Sequence, residues 1–206
     1  MSRCQQIGGR PPWKSAGSDA GSWWWADAAR ENPLSRKKLA SLTGLPLIHL
    51  DRLGWRGTWE AVPREEFDAL LARETARDDW IIDGNYSRTL PARLARADTV
   101  IWFDFSGIRC FIGVAERFFR NYGKTRDDMG GDCPETFSLE KLRFFHRTLW
   151  GARKTHTRIA ALLEGCPGKR VIVFKTRREA DRFLRELTGS ANGKNFRRES
   201  NGMERA

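Results

Sequence analysis

Apolar residues along the chain fall into short runs separated by amphipathic stretches; the runs read as strands and the stretches as helices. Leu34 to Leu42 has helical spacing and stops at Gly44. LPLIHLD (45–51) is a short apolar strand closing on an acid. Pro63 opens a helix, PREEFDALLARETARDD, whose first turn carries the acids that a helix dipole favours. WIIDG (80–84) is a second strand and ADTVIWFDFS (97–106) a third. An amphipathic helix follows near 107–121, then a polar, glycine-bearing loop, GKTRDDMGGDCPE (123–135). Residues 138–164 read as further helix, KRVIVFK (169–175) as a last strand and RREADRFLREL (177–187) as a last helix.

This alternation implies βαβ crossovers and a parallel sheet, hence an α/β domain over 34–187. Ligands of such sheets bind at the carboxyl ends of the strands. Asp51, Asp83 and Asp104 each close a strand and are expected near that edge, although an Asp after a strand is often only a turn residue or cap. Residues 1–33 are rich in Gly, Pro, Ser, Ala and Trp without helical or strand period and read as irregular. Residues 188–206 are polar and read as a disordered tail.

Composition narrows the class. No run of about 18 apolar residues exists, so a membrane span is not expected. The start lacks a signal-peptide pattern, which points to the cytoplasm. Cys4, Cys110, Cys133 and Cys166 have no CxxC spacing and read as free thiols, neither a zinc site nor a disulfide framework. The net charge of +11 suits a polyanionic partner, but the basic residues are dispersed, as on solvated helix faces.

WIIDGNYSRTL (80–90) followed by ADTVIWFDFS resembles the nucleoside-monophosphate kinases, in which a strand enters an Asp-Gly-Phe-Pro-Arg-Thr turn. Here Asn85-Tyr86-Ser87 replaces the Phe-Pro pair. With LPLIHLDRLGW (45–55), this variant is similar to the adenylate-kinase-related group called DNA topology modulation proteins. The resemblance implies a three-layer P-loop NTPase-type sheet with flanking helices, and Mg²⁺ and ATP as cofactor and phosphoryl donor. The partners implied are a nucleoside triphosphate and a small phosphate acceptor that the sequence does not identify.

Asp83 then holds the Mg²⁺ shell, since Mg²⁺ takes hard oxygen ligands, and Arg88 clamps a phosphate bidentately. Asn85 and Tyr86 lie nearest the acceptor phosphate. Asp51 orients a substrate hydroxyl or acts as base, with His49 on the same strand face. Arg117, Arg120 and Arg126 bracket the loop 123–135, where related kinases carry a mobile lid whose arginines meet the transferring phosphates. Trp55 and Trp59 stack on an acceptor ring or pack the lid.

The expected first strand and GxxxxGK[ST] loop are missing from the sequence, or garbled in it. Their absence has a codon-level explanation. Trp has one codon, TGG, and the Trp23–Trp25 run followed by an Ala codon reads Gly-Gly-Gly one base later. In that frame Arg30 permits Gly, Glu31 gives Lys or Arg and Asn32 gives Thr or Ile, which is phosphate-loop spacing. Asp19 to Ser22 permits an apolar strand. The expectation is therefore a shifted reading frame before about Lys38, a strand lost from the sheet centre and weak nucleotide turnover. A competing expectation is a DNA-binding, topology-modulating protein, and a third is an inactive remnant. The sequence shows no helix-turn-helix or concentrated basic helix in favour of DNA binding.

Overall fold

The computed structural model describes residues 22–27, 33–166 and 168–189. In chain order the elements are β1 (Ser22–Asp27), α1 (Pro33–Thr43), β2 (Leu47–His49), α2 (Leu50–Gly54), β3 (Trp55–Arg56), a 3-10 turn (Gly57–Trp59), β4 (Glu60–Ala61) and α3 (Arg64–Thr75). There follow β5 (Trp80–Asp83), α4 (Leu90–Arg96), β6 (Thr99–Phe103), α5 (Gly107–Arg120), α6 (Leu139–Glu164), β7 (Arg170–Phe174) and α7 (177–189). Five strands form one parallel sheet in the order β2-β5-β1-β6-β7. The short strands β3 and β4 form a separate antiparallel pair.

Helices cover both faces of the sheet, and strand alternation explains how. Trp80 and Ile82 of β5, with Val100 and Trp102 of β6, pack with Leu50, Phe67, Leu71, Leu90, Leu94 and Ile159. The alternate residues Ile81, Ile101 and Phe103 pack on the other face with Leu39, Cys110, Phe174, Ala180 and Leu184. All nine positions of β5 and β6 are buried. Each large aliphatic side chain there is worth about 1.5–3 kcal/mol of burial. α5 and α6 pack against each other through Phe111, Phe118 and Phe145. Gly107 is required at their crossing, because a Cβ there would lie 2.4 Å from the Leu149 carbonyl oxygen. No helix among the described residues is long and apolar enough to cross a membrane.

The expectation of a lost first strand is corrected. Ser22–Asp27 is the central strand, paired with β5 from Ser22↔Trp80 to Trp25↔Asp83 and with β6 from Trp23↔Thr99 to Asp27↔Phe103. Sheet pairing uses backbone groups that every non-proline residue carries, and Trp suits strands. Neither β5 nor β6 is left with the bare inner edge that a missing strand implies. The strand also takes in the tryptophans themselves, where the shifted frame places the loop glycines. Residues 28–32, where that frame puts the loop Gly, Lys and Thr, lie outside the described residues, as do 1–21 and the expected tail from 190 onward.

Two smaller differences matter for the site. The chain turns into α2 at Leu50, so Asp51 stands in the first turn of a helix and not at a strand end. The β3–β4 pair and α4 were not expected, since β3 and β4 span two residues each and α4 has Pro91 in its first turn.

Candidate functional site

β2 and β5 end side by side, with His49 in register with Asp83. His49 Nδ1 lies 3.0 Å from Asp83 Oδ2. Arg36 reaches the same oxygen from α1 at 2.6 Å and spans to Asp128 Oδ2 at 2.8 Å. Arg36 shares a helix face with the buried Leu39, three residues on, which turns its side chain inward. Asp51, in the first turn of α2, accepts a hydrogen bond from the Tyr86 hydroxyl at 3.1 Å. The Tyr86 ring is stacked on Phe67 with centroids 4.9 Å apart. Its hydroxyl passes so close to Gly54 that a Cβ there would sit 2.4 Å from it.

The segment 121–138 between α5 and α6 forms a strap over this edge. Tyr122 bridges to Glu135 and Thr125 to Pro134, folding the strap on itself. Gly130 and Gly131 let it lie directly on backbone: a Cβ on Gly130 would be 2.1 Å from the Trp55 carbonyl oxygen, and one on Gly131 2.4 Å from the Gly57 nitrogen. Arg52 donates twice to the Asp127 carbonyl, at 3.0 and 2.5 Å. The Thr58 N–H donates to the Asp132 carbonyl at 2.6 Å, and Trp59 Nε1 to the Pro134 carbonyl at 2.8 Å. Thr58 and Trp59 hold left-handed backbone at φ 62 and 60, a conformation costing ~1–3 kcal/mol each that these strap contacts offset.

From the strap, Arg126 faces three carboxylates: Asp51 at 3.5 Å, Asp128 at 3.5 Å and Glu135 at 3.4 Å. Lys141 pairs with Glu135 and lies 4.7 Å over the Trp59 ring. The result is one connected network: His49, Asp83, Arg36, Asp128, Arg126, then Asp51 with Tyr86 on one branch and Glu135 with Lys141 on the other. Burial raises the Asp51 carboxyl above its ordinary value, against the pull of Arg126 and Arg117. Burial works on Asp128 in the same direction, but Arg126, Arg36 and Arg117 outweigh it and hold that carboxyl below its ordinary value. Burial, reinforced by Asp51, pushes the Tyr86 hydroxyl up, so it remains a proton donor.

Of the residues singled out from sequence, His49, Asp51, Asp83, Tyr86 and Arg126 meet in this network. Arg117 is half-buried and acts electrostatically on Asp51 and Asp128. Arg120 is exposed at the end of α5, and Asn85 is exposed on its turn. Arg88 points elsewhere, its guanidinium forked on Asp68 of α3 by two bonds of 2.7 Å. Trp55 and Trp59 pack edge to face, Trp59 against the strap. Asp104 pairs with His156 of α6 at 2.7 Å.

Sequence reasoning passed over Arg36, Asp128, Glu135 and Arg93. Arg93 is fully buried and ties down the turn after β5 by donating to the Gly84 and Tyr86 carbonyls at 3.0 and 2.8 Å. Burial pulls its pKa down to about 9, opposed by Asp83. Gly84 itself has φ 137 and would place a Cβ 2.8 Å from Leu50.

Asp83 does not fit a Mg²⁺ ligand in this arrangement. Its Oδ2 is already engaged by Arg36 and His49, and a second cation there meets the guanidinium first. Among the described residues, no group of three or more His, Cys, Asp or Glu is placed to hold a metal ion. No protein-family model, curated protein or solved structure matches this chain.

Proposed function

We propose that the chain carries the acceptor and lid parts of a cytoplasmic, nucleotide-kinase-like phosphotransferase whose donor anchor has been lost. One observation carries this reading. Arg36 from a helix and Arg126 from a strap converge with Asp51 and Asp83 at the carboxyl edge of a parallel sheet, beside the central strand where the sheet order reverses. That is where parallel α/β sheets bind ligands. Phosphoryl transfer needs mainly charge neutralisation and alignment. Arg36, Arg117 and Arg126 offer the positive charge. Asp51, with its carboxyl pushed up and one oxygen fixed by Tyr86, is placed to take the proton of an acceptor hydroxyl.

The donor side is weaker. The sequence has no GxxxxGK[ST], so the backbone cradle and the lysine that hold a nucleoside triphosphate are not supplied. In this reading Mg-ATP is the phosphoryl donor of the frame-restored chain. A phosphate-transfer screen tests the reading, run on the chain as given and on a version with the frame restored before Lys38. Transfer by the restored version and little or none by the given chain is expected. Transfer by neither, with both folded, sinks the proposal.

A further inference from the structure

We propose that Asp128 is a built-in plug: its carboxylate fills an oxyanion-binding position between Arg36 and Arg126, and phosphoryl-type oxyanions compete with it for that position. One oxygen, Asp128 Oδ2, takes both guanidinium groups, at 2.8 and 3.5 Å. Two arginines converging on one anionic oxygen is the arrangement that binds phosphate and carboxylate alike. The arginine and aspartate side chains are all 4–8% exposed, so a phosphoryl group cannot reach the arginines while Asp128 stays.

The plug is carried by the strap, whereas the partner oxygen on the other side of Arg36 belongs to Asp83 at the sheet edge. The Asp128 side chain can therefore give way to an oxyanion while Asp83 continues to hold Arg36 and Glu135 continues to hold Arg126, which lies on the same strap. Backbone contacts hold the plug in: Arg52 donates twice to the Asp127 carbonyl, whereas the Lys37–Asp127 side-chain pair is exposed and screened by water. An oxyanion that enters must first unseat Asp128, so apparent affinity falls by the fraction of molecules in which it is unseated.

This rests on the proposed placement of the site at this edge, but not on nucleotide, metal or turnover. The probe is inorganic tripolyphosphate without Mg²⁺, followed by calorimetry and thermal melting on the full chain. Asp128→Asn is expected to melt below the parent protein without anion, to bind tripolyphosphate at least roughly tenfold more tightly, and to gain more melting temperature from it. Asp127→Asn removes the same formal charge one residue away and is expected to leave affinity at the parent value.

Equal affinity in Asp128→Asn and the parent protein overturns the plug, as does an equal gain in Asp127→Asn. A variant that folds only with tripolyphosphate supports it, since the anion then replaces the carboxylate. A variant that folds neither with nor without tripolyphosphate overturns it. Failure here leaves the transfer screen undecided, and failure of that screen leaves this competition standing.

Discussion

Arg88 and Arg126 carry the same expectation from sequence, a guanidinium for phosphate, and the fold treats them in opposite ways. Arg88 forks onto Asp68 with both side chains about half exposed, at 48% and 47%. Arg126 is 8% exposed and faces Asp51, Asp128 and Glu135. Water screens the first pair, which adds little to stability. The second cannot lose a partner cheaply, because the charge left behind stays buried, at about 3–5 kcal/mol. The same residue type is thus decoration at one edge of α3 and a structural and electrostatic centre beneath the strap.

Arg36→Ala should do the most damage, since it strands Asp83 and Asp128 together without their shared counter-charge. A loss of about 3–5 kcal/mol in chemical denaturation is expected. A loss below about 1 kcal/mol means the network is not the closed one described. Gly130→Ala comes next. Its Cβ meets backbone oxygens that cannot swing aside, so the strap should lift at a cost of about 1–3 kcal/mol. Trp59, which the strap covers in part, should then shift to longer emission wavelength; unchanged fluorescence and stability contradict the packing.

Acid should produce a smaller, graded effect. The Asp128 carboxyl sits below its ordinary value of 3.8, so its stabilisation is complete above that value and fades as pH falls through the lowered one. Asp51 is raised and has the opposite sign: its contribution favours the fold at low pH and is lost as pH rises from 3.8 through its raised value. Denaturation at a series of pH values should show an acid-side loss in the parent protein that Asp128→Asn lacks. Arg88→Ala should matter least, with a denaturation midpoint close to the parent protein's and the strap undisturbed. An effect as large as that of Arg36→Ala erases the contrast between the two arginines.

The core of the fold could be read from the sequence because it rests on local pattern. WIIDG and TVIWF announce strands, which prove buried on both faces, and Gly44, at φ 74, ends α1 where the helix was expected to stop. The site was legible where a motif marked it, at Asp83 and Tyr86, where a short apolar run closed on an acid, at Asp51 with His49, and where a loop suggested a lid, at Arg126. Asp128 and Glu135 lie in a polar loop without periodicity, and only the tertiary closure of the strap gives them partners. The central strand was missed for a different reason. Its tryptophans break the pattern of a phosphate-loop strand, yet backbone pairing with β5 and β6 depends little on which side chains the strand bears.

On the proposed function, the chain is a phosphotransferase body that keeps its acceptor and lid parts and lacks its donor anchor. Calorimetry of Mg-ATP binding tests it most directly, with the chain as given and its frame-restored version titrated side by side. The expected result is clear saturable binding to the restored version and weak or no binding to the given chain. Tight, Mg²⁺-dependent ATP binding by the chain as given, or none by the folded restored version, contradicts it.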